Sequence, residues 1–145
     1  MPKRKGFLYE WMCDKEHIRA AIAFGSKGKR KRHDVKRVLS DVDGYTERVY
    51  ELLTTQSFEP AQPKMRRFYD VSSQKWRTIE YVPFFPDGII HTLMVMAAEP
   101  TFRRGMNHWC CASVPGRGGK HAIRRCKRVI YHDKKGSRYV CKMDV

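Results

Sequence analysis

Positive charge is concentrated at the two ends of this chain, and that distribution restricts where its core can form. Residues 1–40 carry 12 basic and 4 acidic side chains, and residues 101–145 carry 12 and 2. The middle, residues 41–100, carries 6 basic and 9 acidic side chains. Charges are costly to bury without partners. The two ends are therefore expected to be either solvated basic faces or surfaces that grip a polyanion such as nucleic acid.

Length and composition indicate one globular domain. The chain has 145 residues, of which 41% are hydrophobic and 12% aromatic, enough for a packed core. The longest apolar run, residues 89–98, is interrupted by His91 and Thr92 and is too short to cross a bilayer. No apolar stretch follows the basic start, and five cysteines lack framework spacing. We expect a cytoplasmic protein without disulfides or a membrane partner.

Apolar spacing predicts two helices in the first part of the chain. One is expected over residues 9–24, ended by Gly25. A long amphipathic helix is expected over residues 35–53, weakened where Gly44 interrupts it.

Two more helices are predicted in the second part of the chain. The first is expected to start at residues 86–88 and to bury Ile89, Ile90, Leu93, Met94 and Ala97. The second follows a glycine-rich basic loop at residues 114–119, and its apolar stripe consists of Ala122, Ile123, Cys126, Val129 and Ile130. The rest of that helix is basic, with Arg124, Arg125, Lys127 and Arg128.

A β-hairpin is predicted between these pairs of helices. Its strands are expected at residues 67–71 and 75–81, around a polar turn at residues 72–74. Because side chains alternate along a strand, Lys75 and Arg77 share one face. An ammonium beside a guanidinium suits a phosphate clamp, although a charged outer face is the plainer interpretation.

A last strand is predicted over residues 138–145, and it carries Asp144 near its end. A carboxylate at a strand end is a suitable Mg²⁺ ligand, but a lone aspartate there is more often an ordinary turn residue.

Other kinds of functional site fit the sequence poorly. Cys110 and Cys111 are adjacent and give no zinc spacing, the glycine-rich loop lacks the Gly-Lys-Ser/Thr of a P-loop, and no nucleophile elbow supports a Ser-His-Asp triad.

Taken in order, these segments resemble the amino-terminal part of bacterial and phage reverse transcriptases, the enzymes of group II introns, retrons and diversity-generating retroelements. The resemblance spans about residues 35–145. The hairpin segment YD…KWRTI (residues 69–79) is similar to the fingers hairpin, and YVPFFPDGIIH (residues 81–91) resembles the proline-containing stretch. ASVPGRGGKHA (residues 112–122) resembles the Gly-Arg-Gly block, and YVCKMD (residues 139–144) resembles the strand with the first catalytic aspartate.

The resemblance implies an α+β fold, in which a helical fingers region with a β-hairpin precedes the first strand of a polymerase palm. The implied segments are a basic N-terminal helix and linker (1–34), a fingers-like region (35–137) and the first palm strand (138–145). Together they form an incomplete right-hand polymerase.

The resemblance also implies roles for individual residues in an RNA-directed DNA polymerase. Asp144 would be the catalytic aspartate and a ligand of Mg²⁺, and Lys75 and Arg77 would contact the phosphates of the incoming dNTP. The RNA template and its DNA or RNA primer would be bound by Arg117, Lys120, Arg124, Arg125, Lys127 and Arg128.

Two departures from the family pattern affect these expectations. Gly88 stands where the family usually has Arg, which removes a charge contact. The sequence also stops one residue after Asp144, before the later paired aspartates, and two-metal phosphoryl transfer needs at least two carboxylates. We therefore expect this chain alone to be inactive, to bind Mg²⁺ only within a complete active site, and to need the remaining polymerase portion as a partner.

A non-catalytic basic domain that binds RNA or DNA is the alternative. The charge distribution favours it as much as it favours a polymerase fragment.

Overall fold

The computed structural model describes residues 4–112, 114–141 and 143, and this part of the chain is α+β, as expected. Six α-helices and one antiparallel pair of strands occur in it: α1 (Leu8–Met12), α2 (Lys15–Gly25), α3 (His33–Leu39), α4 (Val42–Thr54), β1 (Lys64–Asp70), β2 (Lys75–Tyr81), α5 (Ile89–Gly105) and α6 (Gly119–His132). None of these helices has the length and apolar character that a membrane crossing requires.

The helix predicted over residues 9–24 is two helices, because Asp14 begins a new one. The Asp14 Oδ1 accepts hydrogen bonds from the backbone N of Glu16 at 2.8 Å and of His17 at 3.1 Å. Amides in the first turn of a helix have no partner within the helix, so a side chain that accepts from them favours a helix start. The predicted end at Gly25 is confirmed.

The long helix predicted over residues 35–53 is interrupted at Ser40 and Asp41 rather than at Gly44. Asp41 is the N-cap of α4, and its Oδ1 accepts a hydrogen bond from the Gly44 backbone N at 2.9 Å. A Cβ at Gly44 would collide with this carboxylate. The glycine therefore makes room for the cap, and it does not break the helix.

The core of the first compact unit, which ends at Arg104, is formed by α1 to α5 and the turn before α5. Four of the five residues predicted to be buried on α5 are buried, but Met94 is 52% exposed. The most deeply buried apolar side chains are Ile18, Ala21, Ile22, Val35, Val38, Val49, Ile89, Ile90 and Leu93.

Strands β1 and β2 form the predicted hairpin, but β1 begins at Lys64, three residues before the predicted strand, and ends at Asp70. The register runs from Lys64 opposite Tyr81 to Asp70 opposite Lys75. All residues of β2 are exposed. A two-stranded sheet is only marginally stable by itself. The position of the hairpin therefore depends on the segments that connect it to the helices.

Two carboxylates hold these connecting segments. Asp87 is fully buried, and its Oδ1 accepts a hydrogen bond from the backbone N of Ala61, which precedes β1, at 2.9 Å. Asp34 of α3 accepts one from the backbone N of Phe84, which follows β2, at 3.3 Å. Both ends of the hairpin are thus fastened to the helical part of the first unit.

The second compact unit begins at Gly105, and among its described residues only Val114 is buried. The strand predicted over residues 138–145 is absent from its described part, since residues 138–141 and 143 are irregular and exposed. A strand needs a hydrogen-bonded neighbour, and the pairing of β1 with β2 does not extend to these residues. Lys142, Asp144 and Val145 lie outside the described residues.

The compact units divide the chain differently from the predicted segments. The predicted boundary between residues 34 and 35 falls inside α3, and α2 supplies core residues to the same unit as α3 and α4. The division lies instead between Arg104 and Gly105, within the segment predicted as fingers-like.

We predict that the effect of Gly44→Ala depends on Asp41. With Asp41 present, the new methyl displaces the capping carboxylate, which offsets the gain of about 1 kcal/mol that alanine has over glycine inside a helix. In an Asp41→Ala background, the same substitution should raise the free energy of unfolding by about 0.5–1 kcal/mol. Urea unfolding of the four proteins of this double-mutant cycle measures the difference. Equal effects in the two backgrounds would contradict the conclusion that Gly44 makes room for the Asp41 cap.

Candidate nucleic-acid interface

Four cations line one face of α6. Lys120, Arg124, Lys127 and Arg128 stand at offsets of 0, 4, 7 and 8, a spacing that places side chains on the same side of a helix. All four are exposed. No acidic residue occurs between residues 114 and 132 to compensate them. We call these four residues the α6 basic face.

The apolar stripe predicted on this helix lies on the other side, and it is not buried. Ile123, Val129 and Ile130 are 58%, 42% and 49% exposed, and no residue of α6 is buried. The periodicity correctly predicted an amphipathic helix, but the apolar side of this helix is not buried within the second unit.

Two of the predicted nucleic-acid contacts are engaged with their own unit. The Arg125 guanidinium lies 4.7 Å from the centre of the Trp109 ring, a cation–π contact. The Arg117 Nη1 donates a hydrogen bond to the Asn107 carbonyl oxygen at 3.1 Å, and the Asn107 Oδ1 accepts from the Trp109 backbone N at 2.9 Å. Arg117 and Arg125 thus brace the loop before α6, and their contact with nucleic acid stays a prediction.

The glycine-rich loop forms a tight turn. The Arg117 backbone N donates to the Val114 carbonyl oxygen at 2.9 Å, and Gly116 between them has φ +77°. This left-handed conformation favours glycine. The loop therefore positions Arg117 and the start of α6.

At the hairpin tip, Arg77 is held by acceptors of the turn. Its Nε donates to the Asp70 Oδ2 at 2.9 Å, and its Nη2 donates to the Ser73 Oγ at 3.2 Å. Hydrogen bonds from the hydroxyls of Ser72 and Ser73, and from Arg77, lower the pKa of Asp70 to about 2. Lys75 lies on the same face as Arg77, two residues away on β2. A phosphate on this face would have to compete with Asp70 for Arg77.

A second basic cluster lies at the base of the hairpin, and none of its residues was predicted as a site residue. Arg32, Arg37, Lys64 and Arg66 line a cavity of about 590 Å³. Alternation along β1 places Lys64 and Arg66 on one face, but both residues precede the strand predicted over residues 67–71. Their proximity to Arg32 and Arg37, which are more than 25 residues away along the chain, depends on the tertiary fold.

The predicted metal ligand Asp144 lies outside the described residues. Within the described part of the chain, no group of three or more His, Cys, Asp or Glu side chains is placed to hold a metal ion. A role for Mg²⁺ therefore depends on the sequence resemblance.

We predict that Asp70 stays ionised well below the usual range of an aspartate. Its pKa in the folded chain, about 2, lies below the ordinary value of 3.8. The stabilisation of the turn is therefore fully present above pH 3.8 and is lost as the pH falls toward 2. An NMR titration of the Asp70 carboxyl carbon in the full chain measures the midpoint. Ser72→Ala should raise this midpoint, whereas a wild-type midpoint near 3.8 would contradict the hydrogen bonds described at the tip.

Comparison of the chain with protein-family models, curated proteins and solved structures found no significant match. Three features of this chain bear on its function. They are the α6 basic face, the hairpin with its two groups of cations, and the order of the sequence blocks.

Proposed function

We propose that this chain is the amino-terminal part of an RNA-directed DNA polymerase, in which it binds the template–primer and the incoming dNTP. The α6 basic face supports the binding function most directly. It presents four exposed cations within nine residues, with no acidic side chain among them. Phosphate contacts by Lys and Arg supply most of the affinity for nucleic acid that does not depend on sequence.

The polymerase assignment is supported by the order of the sequence blocks. The hairpin, the proline-containing stretch, the Gly-Arg-Gly block and the segment that ends in Asp144 follow one another as they do in bacterial reverse transcriptases. In this proposal Asp144 is a ligand of the catalytic Mg²⁺, which would stabilise the charge that develops during phosphoryl transfer. The other carboxylates would come from the remaining polymerase portion.

The hairpin tip has a defined role in the proposal. Lys75 and Arg77 would receive the triphosphate of the dNTP, and Arg77 would exchange Asp70 for a phosphate oxygen. Such an exchange replaces one charge-assisted hydrogen bond of the guanidinium with another. The proposal thus assigns Asp70 to holding Arg77 in place until the nucleotide arrives.

A non-catalytic domain that binds RNA or DNA is the second candidate, because the α6 basic face serves it equally well. The two candidates differ in what happens after binding. A polymerase part supports primer extension once its missing portion is supplied, and a binding domain does not.

We predict that neutralising the α6 basic face weakens RNA binding and its dependence on salt. A variant with Lys120, Arg124, Lys127 and Arg128 changed to Gln should flatten the slope of log K against log salt by about 3 for a single strand, since each lost phosphate contact removes about 0.7. Glutamine has nearly the same helix propensity as lysine and arginine, so α6 should persist. Fluorescence anisotropy with a labelled single-stranded RNA, over a range of salt concentrations, measures both quantities.

The matched control removes the same charge elsewhere, by changing Lys27, Lys29, Arg30 and Lys31 to Gln in the exposed turn after α2. Its slope should change less than that of the α6 variant. If the control lost as much affinity as the α6 variant, binding would depend on total charge and the proposed interface would be wrong.

We also predict that the chain alone does not extend a primer on an RNA template. Extension should appear when the remaining polymerase portion is supplied, and Asp144→Ala should then reduce it to background while leaving the RNA affinity unchanged. Mg²⁺-dependent synthesis by this chain alone would contradict the proposal. Binding without extension, whatever polymerase portion is added, would favour the non-catalytic domain.

A further inference from the structure

The cavity at the base of the hairpin is suited to an anionic ligand with a flat apolar part. Its volume of about 590 Å³ falls in the range of roughly 300–1,000 Å³ typical of small-molecule sites. Cations from two separate elements converge on it, and an aromatic and an aliphatic side chain form part of its wall. The lining residues used here are Arg32, Asp34, Arg37, Lys64, Arg66, Ile79 and Tyr81.

The strand register explains how half of this lining comes together. Lys64 lies opposite Tyr81 and Arg66 lies opposite Ile79. Residues two apart on a strand, and residues directly opposite on a neighbouring strand, share one face of the sheet. Two cations and two apolar side chains therefore stand side by side on the face that turns toward the cavity.

Helix α3 supplies the other half. Arg32 immediately precedes this helix and Arg37 lies within it. The hydrogen bond between Asp34 and the Phe84 backbone N fixes α3 to the chain that leaves β2. The two groups of cations are thus held near each other by the fold.

The charges in the cavity do not balance. Asp34 is the one carboxylate among the lining residues, and Arg32 Nε donates to its Oδ1 at 3.0 Å. That hydrogen bond is the main reason why the pKa of Asp34 is lowered. Asp34 is therefore ionised and already paired. Within the described part of the chain, no carboxylate forms an ion pair with Arg37, Lys64 or Arg66.

The apolar wall narrows the chemistry of the ligand. Tyr81 is 41% exposed and Ile79 is 44% exposed. A half-exposed tyrosine ring can stack on a nucleobase, and such stacking is tolerant of base identity. Three cations that have no acidic partner among the described residues suit a phosphate, which offers several oxygens to guanidinium groups.

We propose that this cavity binds a nucleotide unit, with the phosphate on Arg37, Lys64 and Arg66 and the base against Tyr81. The site is separate from the hairpin tip. Arg66 and Asp70 are four positions apart on β1, which places the two about 13 Å apart along the strand. Binding here requires no polymerisation, so the proposal does not depend on the proposed catalytic function.

The test measures binding of adenosine 5′-monophosphate to the full chain by calorimetry, with ribose 5-phosphate and inorganic phosphate as comparisons. The double variant Arg37→Gln/Arg66→Gln should weaken binding by about tenfold or more. The matched control Lys29→Gln/Lys31→Gln removes two exposed cations that do not line the cavity, and it should change affinity by less than about twofold. Tyr81→Ala should weaken binding of the nucleotide more than that of ribose 5-phosphate, and Tyr81→Phe should restore it.

A second arm replaces the free nucleotide with a short single-stranded RNA of adenosines and uses the same variants. RNA binding that is tighter than binding of the monophosphate, and that the Arg37→Gln/Arg66→Gln substitutions weaken, identifies the ligand as a nucleotide within a strand. Equal or tighter binding of the monophosphate identifies a free nucleotide. Amide shifts of Ile79 and Tyr81 in the wild-type chain report occupancy without any substitution.

Three results would overturn the proposal. The first is no saturable binding of either ligand together with unchanged amide shifts at Ile79 and Tyr81. The second is wild-type affinity in the Arg37→Gln/Arg66→Gln variant. The third is inorganic phosphate that binds as tightly as the nucleotide, with no effect of Tyr81→Ala, which would mean a phosphate site without base recognition.

Discussion

The two hydrogen bonds that fasten the hairpin to the helices are the constraint on which the basic cavity of the first unit depends. The residues of β2 are all exposed, so packing does not fix the position of the hairpin. Its cations are positioned by the hydrogen bonds of Asp34 to the Phe84 amide and of Asp87 to the Ala61 amide. Asp87 is fully buried, and a buried carboxylate that lost its donor would be strongly destabilising. The basic cavity follows from this attachment, whereas the hairpin tip is held by the hydrogen bonds of Arg77 to Asp70 and Ser73.

The basic segments toward both ends of the chain are exposed to solvent, as their charge predicts. Five of the twelve basic residues between residues 101 and 145 lie on α6, which buries none of its residues. In the first unit, the apolar faces of α2, α3 and α4 form the core and leave their cations outside. A protein that binds a polyanion needs such exposed cations, because only charges that reach the phosphates release counterions.

Local patterns predicted the hairpin and α6, but they did not predict the breaks between helices, the irregular structure of residues 138–141, or the tertiary contacts. The alternation of side chains around Trp76 correctly predicted the hairpin and its two faces. The apolar stripe around Cys126 correctly predicted α6. Helix breaks were missed where Asp14 and Asp41 cap new helices, since a capping aspartate looks like any exposed polar residue within an apolar period. The cavity was missed for another reason. Arg37 and Arg66 are distant in sequence, and no periodicity reports a tertiary contact.

The most direct test of the account is NMR mapping of a single-stranded RNA on the isotope-labelled full chain. We predict that amide shifts concentrate on the α6 basic face and on the strand face that carries Lys64, Arg66, Ile79 and Tyr81, and that they diminish as salt is raised. Shifts confined to the basic turn at residues 27–31, or no saturable shifts at all, would contradict a nucleic-acid interface built from these elements.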